Sequence, residues 1–202
     1  MVKGQVCFCD TLMADGFPLI ETARLVMRPF AMDDADYLHR LWVDPGVRKF
    51  LWDDQIISRE TAIAVVESSI EGFVNHGFGS WAICFKNDAA LIGFGGLRHF
   101  TDDGGVTSEV EILYGVAPEH WGRGVATEAA GAILGYGFEE CELTHIYAGA
   151  DPPNASSFRV IEKLGMKFAR KAVINGVEAV YYVMSRDGYK IDLELDSKLD
   201  VK

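Results

Sequence analysis

The chain has 202 residues, 49% hydrophobic and 24% charged, which is the composition of one globular domain with a sizeable core and leaves no room for two. Its net charge of −11 argues against nucleic acid as a partner, because neutralising phosphates needs a basic surface, and it suits a cationic substrate. No apolar run approaches the roughly 20 residues of a membrane span, and Met1 to Asp10 is too short and interrupted for a signal peptide, so a cytoplasmic protein with no membrane partner is expected.

In chain order, Ile20 to Pro29 reads as a strand and Asp33 to Val43 as a helix, with Asp33 and Asp34 favoured at the positive end of the helix dipole. Ser58 N-caps a helix in which Ala62, Val65, Val66, Ser69, Ile70 and Phe73 recur at helical spacing before Gly77 and Gly79 break it. Ser80 to Lys86, Leu91 to Phe100 and Ser108 to Val116 are short apolar-rich strands. The turn signals Asn87-Asp88 and Asp102-Asp103-Gly104-Gly105 separate them into an antiparallel meander. Helix and strand then alternate: Gly124 to Glu140, His145 to Ala150, Asn154 to Leu164, and a hairpin of Met166 to Val173 with Val177 to Ser185 around Asn175-Gly176. Gly131, Gly135 and Gly137 each cost roughly 1 kcal/mol relative to alanine in a helix interior. The small face Ala126, Ala130, Ile133, Gly137 points to close packing on the sheet as the compensation. The pattern is a single-domain α/β (α+β) fold with a mixed, mostly antiparallel sheet of about seven strands flanked by helices.

Four cysteines, Cys7, Cys9, Cys84 and Cys141, have neither C-x-x-C spacing nor paired histidines, and His99, His120 and His145 are scattered. No metal and no disulfide framework are expected. The tail Ile191 to Leu195 alternates apolar and acidic residues, a pattern for an edge strand within the chain or to a partner, as in a homodimer, or for a solvated segment.

The most informative stretch is Val116 to Ala130, read as a strand end, a turn with two close glycines and a helix start. The first turn of a helix leaves backbone N–H groups without intrahelical partners and carries the positive dipole end, so it attracts phosphate. A Walker A loop would need Lys-Ser or Lys-Thr after its second glycine, and here Val125 and Ala126 follow Gly124. A dinucleotide fingerprint would need a third small position where Thr127 stands.

Trp121-Gly122-Arg123-Gly124-Val125-Ala126 resembles the coenzyme A signature of the GNAT superfamily of N-acetyltransferases, written Q/R-x-x-G-x-G/A. Trp in place of the first residue narrows the resemblance to the RimJ/RimL-type branch, the ribosomal-protein N-terminal acetyltransferases. A second stretch, Asn154-Ala155-Ser156-Ser157-Phe158-Arg159-Val160-Ile161-Glu162-Lys163-Leu164-Gly165-Met166, is similar to that branch's N-x-x-S-x-R-V-x-E-K-x-G-F segment. The resemblance covers residues 19–185, leaving 1–18 as an N-terminal extension and 186–202 as an acidic tail. It implies an acyl-CoA N-acyltransferase fold splayed at its central strands, with acetyl-CoA as cosubstrate.

An α-amino group titrates near roughly 8 and a lysine near roughly 10.4, so an acceptor amine arrives protonated and needs a base, often through water. The resemblance implies Glu111 as that base, and Glu109, two residues earlier on a strand, shares its face. Both also read as solvated strand carboxylates. Ser157 is implied as the donor to the departing sulfur, with the alternative that it and Asn154 simply start a helix. Cofactor contacts are implied for Tyr114, Val116 (whose N–H is the oxyanion donor), Trp121, Gly122, Arg123, Gly124, Val125, Ala126, Thr127, Asn154 and Ser157. Trp52, Trp81 and Glu109 fall where relatives shape the acceptor pocket, and the two tryptophans read equally as core. Direct acetyl transfer to an amine follows, either a protein N-terminus or a small molecule. A catalytically silent acyl-CoA sensor is the alternative.

Overall fold

The computed structural model describes residues 13–14, 17–100, 109–174 and 176–190. Ile20–Glu21 (β3) and Leu25–Pro29 (β4) form a hairpin rather than one continuous strand. Thr22 breaks the strand, because its hydroxyl accepts from the Leu25 N–H at 3.0 Å and its N–H donates to the Leu25 carbonyl at 3.0 Å. A short 3-10 turn, Met32–Asp34, leads into helix α1, Ala35–Val43. Asp34 fixes this entrance by accepting from the Ala31 N–H and from both Nη atoms of Arg28. A second short helix, α2 (Pro45–Arg48), is absent from the sequence reading. Its signal is Asp44, which caps the Gly46 N–H at 2.8 Å, followed by proline at the first helical position.

Helix α3 (Arg59–His76) starts at the Ser58 cap and stops at Gly77, whose φ is 78°. Strands β5 (Ser80–Phe85), β6 (Asp88–Phe100) and β7 (Glu109–Val116) follow as an antiparallel meander. Helix α4 (Val125–Glu139), strand β8 (His145–Ala150), helix α5 (Ala155–Lys163) and the hairpin of β9 (Lys167–Ile174) and β10 (Val177–Ser185) complete the domain. The sheet runs β3-β4-β5-β6-β7-β8-β10-β9 and has eight strands, one more than expected because of the Thr22 break. Among the described residues its one parallel pairing is β7 with β8.

Helices cover both faces. On one, α4 and α5 pack Val125, Ala129, Ala130, Ile133, Leu134 and Ile161 against Ile83, Leu97, Ile112 and Ile146. Full burial of side chains such as Ile133 and Leu134 is worth roughly 1.5–3 kcal/mol each. On the other face, α1 and α3 close over Phe30, Ala82 and Phe94, with Leu113 at the edge of that core. Close helix–sheet packing is real at Gly137, where a Cβ would stand 2.7 Å from Ile146 and 2.9 Å from Leu97. At Gly131 the nearest atom would be an ordinary 3.6 Å away.

The strand pair β1 (Met13–Ala14) and β2 (Phe17–Pro18) lies before β3, and the Pro18 carbonyl accepts the Trp81 indole N–H at 3.1 Å. The rest of the 1–18 segment, the Asp102 to Gly105 turn, Asn175 and the Ile191 to Leu195 alternation lie outside the described residues. Among the described residues no helix is long and apolar enough to cross a membrane, and no cluster of His, Cys, Asp or Glu is arranged to hold a metal.

Candidate active site

The site is built where β7 and β8 part. The two strands share a single register pair, Glu111 with Tyr147, and β7 then runs on to Val116 without further pairing to β8 among the described residues. In an antiparallel ladder, backbone groups alternate between the two edges of a strand. Ala117 donates to Ile92, so Val116 and Tyr114, at the alternate positions opposite Gly93 and Gly95, turn their N–H and C=O groups toward the gap. The Val116 carbonyl is taken by the Trp121 indole N–H at 2.6 Å, and the Val116 N–H faces the opening.

Trp121 closes the turn that follows. It is 54% exposed, and a Cβ on Gly46 would lie 2.8 Å from its ring, so the indole spans from the end of β7 to α2. Gly122 and Gly124 both adopt left-handed backbone, with φ of 74° and 76°. A Cβ at Gly122 would meet nothing within 4 Å, so the requirement there is conformational rather than steric. Gly124 is the N-cap of α4 with no side-chain cap, and Glu128 is the residue whose N–H bonds back to its carbonyl. The N–H groups of Val125, Ala126 and Thr127 are therefore the open donors of the first turn. The Arg123 side chain is exposed beside them.

Across the gap, Asn154 caps α5. It is 8% exposed, and its Oδ1 accepts from the Ser157 N–H at 3.1 Å and the Ser156 hydroxyl at 2.9 Å. The Tyr114 side chain crosses from β7 on the α4 and α5 face, and its hydroxyl donates to the Ser157 carbonyl at 3.3 Å. Burial pushes the Tyr114 pKa up to about 12, against a weaker opposing effect of that contact. The phenol that the structure brings to the gap is thus on β7, where the sequence offered only a cofactor contact.

Glu109 and Glu111 do share the opposite face of β7, and each is ion-paired. Glu111 is 7% exposed and accepts from Arg98 Nε at 2.6 Å, its neighbour in register on β6. Glu109 is held by both Nη atoms of Arg170, whose guanidinium also lies 5.3 Å from the Tyr147 and Tyr181 ring centroids. The Arg170 hydrogen bond holds the Glu109 carboxyl below the usual carboxylate range. The sequence reading as open solvated carboxylates does not hold for either residue.

The two tryptophans separate. Trp81 is fully buried between Phe73 and Tyr136 with its N–H on Pro18, so it is core and not a pocket wall. Trp52 is partly buried, edge-on to Trp42 at 6.0 Å, and leads into Asp53 and Asp54, which adopt φ of 51° and 60°. Asp151, just past β8, has its carboxyl raised by burial and, second, by the charge of Asp53. Sequence reasoning missed Arg24, Arg98 and Arg170. Each acts through a partner far along the chain, and no local spacing marks it.

Residues 24–167 match the family model described as the acetyltransferase (GNAT) domain. A Bacillus licheniformis protein named as an uncharacterized N-acetyltransferase is 30% identical over 150 residues, covering 72% of this chain and 80% of its own. Two solved structures illustrate the shared fold. An acetyltransferase from Agrobacterium tumefaciens has a TM-score of 0.74 at 24% identity over 87% of this chain and 98% of its own. RimL, the ribosomal L7/L12 alpha-N-protein acetyltransferase solved with coenzyme A, has a TM-score of 0.69 at 15% identity over 84% and 99%. The splayed strands, the left-handed glycine turn and these matches agree: the chain belongs to the GNAT acetyltransferase family and is an acyltransferase.

Proposed function

We propose that the protein transfers acetyl from acetyl-CoA directly to a primary amine bearing positive charge, either a protein N-terminus as in the RimJ/RimL branch or a small-molecule amine. The observation that carries this reading is the gap itself. Among the described residues, it leaves the outward edge of β7 unpaired past the Glu111–Tyr147 pair, and the open amides of Val125, Ala126 and Thr127 follow in the next turn.

In this reading the amides of Gly122 to Thr127 hold the pyrophosphate, with Arg123 beside them. The pantetheine arm lies along Val116, and Asn154 donates to it from Nδ2 while its Oδ1 caps α5. The outward N–H groups of β7 serve the thioester oxygen, that of Val116 first, with Tyr114 two residues earlier on the same edge. The amine attacks the thioester carbon, Glu111 takes the amine proton through water, and the C–S bond breaks as the carbonyl re-forms. The thiolate, with a pKa near roughly 8.5, is a good leaving group and needs only a hydrogen bond. The Tyr114 hydroxyl, protonated at neutral pH, supplies it by turning its single O–H from the Ser157 carbonyl to the sulfur, with Ser157 next to it.

The arginine pairs on Glu109 and Glu111 favour one competing reading, a silent acyl-CoA sensor. Calorimetry with acetyl-CoA, joined to thiol release over a panel of peptides and small amines, separates the two. Binding with amine-dependent thiol release supports transfer and names the acceptor. Binding without release on any amine supports the sensor, and no binding defeats both.

A further inference from the structure

Resting on the reading of Gly122 to Thr127 as the pyrophosphate cradle, we propose that Arg24 is a charge-compensating positioning residue for that cradle. It cancels the Glu128 carboxylate and braces the loop that presents the amides.

Helix α4 carries an acid where a polyanion has to sit. Glu128 lies in its first turn, and helical side chains lean toward the N-terminus, so its carboxylate points back toward the loop. The side chain is only 19% exposed. Burial favours its protonated form, but the Thr22 and Arg24 contacts together outweigh burial and hold the carboxyl below its usual range. At neutral pH it is therefore an anion at the mouth of an anion site, in a chain with a net charge of −11.

The β3–β4 turn answers this charge. The Arg24 backbone N–H donates to Glu128 Oε1 at 3.0 Å and its Nε donates to Oε2 at 2.7 Å. Nη2 lies 2.6 Å from Oε2, and Thr22 donates to Oε1 at 2.6 Å. The same guanidinium donates from Nη1 to the Arg123 carbonyl at 3.0 Å. Its Nη2 stands 3.6 Å from where a Gly124 Cβ would be. One cation from a turn 104 residues earlier therefore neutralises the acid and fixes the carbonyl between the two left-handed glycines. That carbonyl, turned toward Arg24, is kept from facing the phosphates.

A purely structural clamp and a charge-compensating one differ in sign. Arg24→Ala and Glu128→Gln break the same bridge, so a clamp alone predicts weaker coenzyme A binding in both. Charge compensation predicts that Arg24→Ala weakens coenzyme A roughly tenfold and Glu128→Gln tightens it a few-fold. The double variant returns most of the lost affinity. The contrast narrows between about 50 mM and 500 mM salt as the charges are screened. Calorimetric Kd values for coenzyme A on the four proteins, with melting temperatures as the folding control, decide this. Dephospho-coenzyme A as a second probe is expected to give the same ratios, since the compensated group is the pyrophosphate. Weaker binding in Glu128→Gln, or no recovery in the double variant, overturns the inference. Failure of the wild type to bind coenzyme A instead overturns the cradle on which it rests.

Discussion

The Tyr114 hydroxyl donates to the Ser157 carbonyl at 3.3 Å, joining β7 to the first turn of α5 across the gap. Burial lifts its pKa to about 12, so it remains a donor across the neutral range. Tyr114→Phe removes that donor at nearly constant volume and is expected to lower kcat roughly tenfold, with the Kd of acetyl-CoA changed less than about threefold. Ser157→Ala keeps the backbone carbonyl and is expected to change kcat less than about threefold. Single-turnover thiol release reads both. A larger loss in Ser157→Ala would return the donor role to the serine.

The two carboxylates on this face of β7 are each gripped by two nitrogens of one arginine but sit at different places along the strand. Glu109 is held by Arg170, which also lies between two tyrosine rings, whereas Glu111, held by Nε and Nη2 of Arg98, belongs to the last register pair before the gap. Glu111→Gln is accordingly expected to lower kcat/KM about a hundredfold, and Glu109→Gln by less than about fivefold. Thiol release at saturating acetyl-CoA with a fixed amine measures this. Equal losses would remove Glu111 from the base role.

The elements that the sequence announced are those whose local signals agree. Ser58 and Gly77 bound α3, Gly124 opens α4, Asn154 caps α5 and Gly176 turns the last hairpin with φ 81°. The Thr22 hairpin is hidden because no glycine, proline or asparagine marks a turn between Ile20 and Leu25, and only the threonine side chain diverts the backbone. Trp81 has two readings in the sequence for a related reason. A tryptophan at a strand start is equally a pocket wall or a core residue until the Pro18 carbonyl is seen to receive its N–H. The cradle was legible because its chemistry is local backbone conformation. The arginines were not, because Arg24 and Arg170 meet their carboxylates 104 and 61 residues away.

The left-handed glycines allow a controlled comparison. A non-glycine residue at such a φ costs on the order of 1–2 kcal/mol, and neither Gly122 nor Gly176 has an atom within 4 Å of an added Cβ. Gly122→Ala and Gly176→Ala are thus expected to lose similar stability in urea melts, while only Gly122→Ala weakens coenzyme A in calorimetry. Unchanged affinity in Gly122→Ala would remove that turn from the cradle.

The dependence of stability on pH follows from groups whose pKa values folding moves in opposite directions. Glu109 is held low by the Arg170 hydrogen bond, so its contribution is full above the ordinary carboxylate pKa, near 4.3, and is lost as pH falls through its lower folded value. Tyr114 and Tyr189 are raised by burial to about 12. A raised acid holds its proton longer in the folded state than in the unfolded one. Their contribution is therefore full below about pH 10, the ordinary tyrosine value, and is lost as pH rises toward the folded value. For the deeply buried Tyr114, a shift of this size corresponds to something on the order of 2–3 kcal/mol. Melting temperature is expected to fall from about pH 10 upward in the wild type, and less steeply in Tyr114→Phe. At the acid end, Glu109→Gln is expected to flatten the decline below about pH 4 and leave the alkaline limb untouched. Calorimetric melts of the three proteins from about pH 3 to pH 11.5 check both ends. An alkaline limb identical in wild type and Tyr114→Phe would show that the phenol is solvated in the folded protein, and with that the gap between β7 and α5 would be wet enough to protonate the departing thiolate without Tyr114.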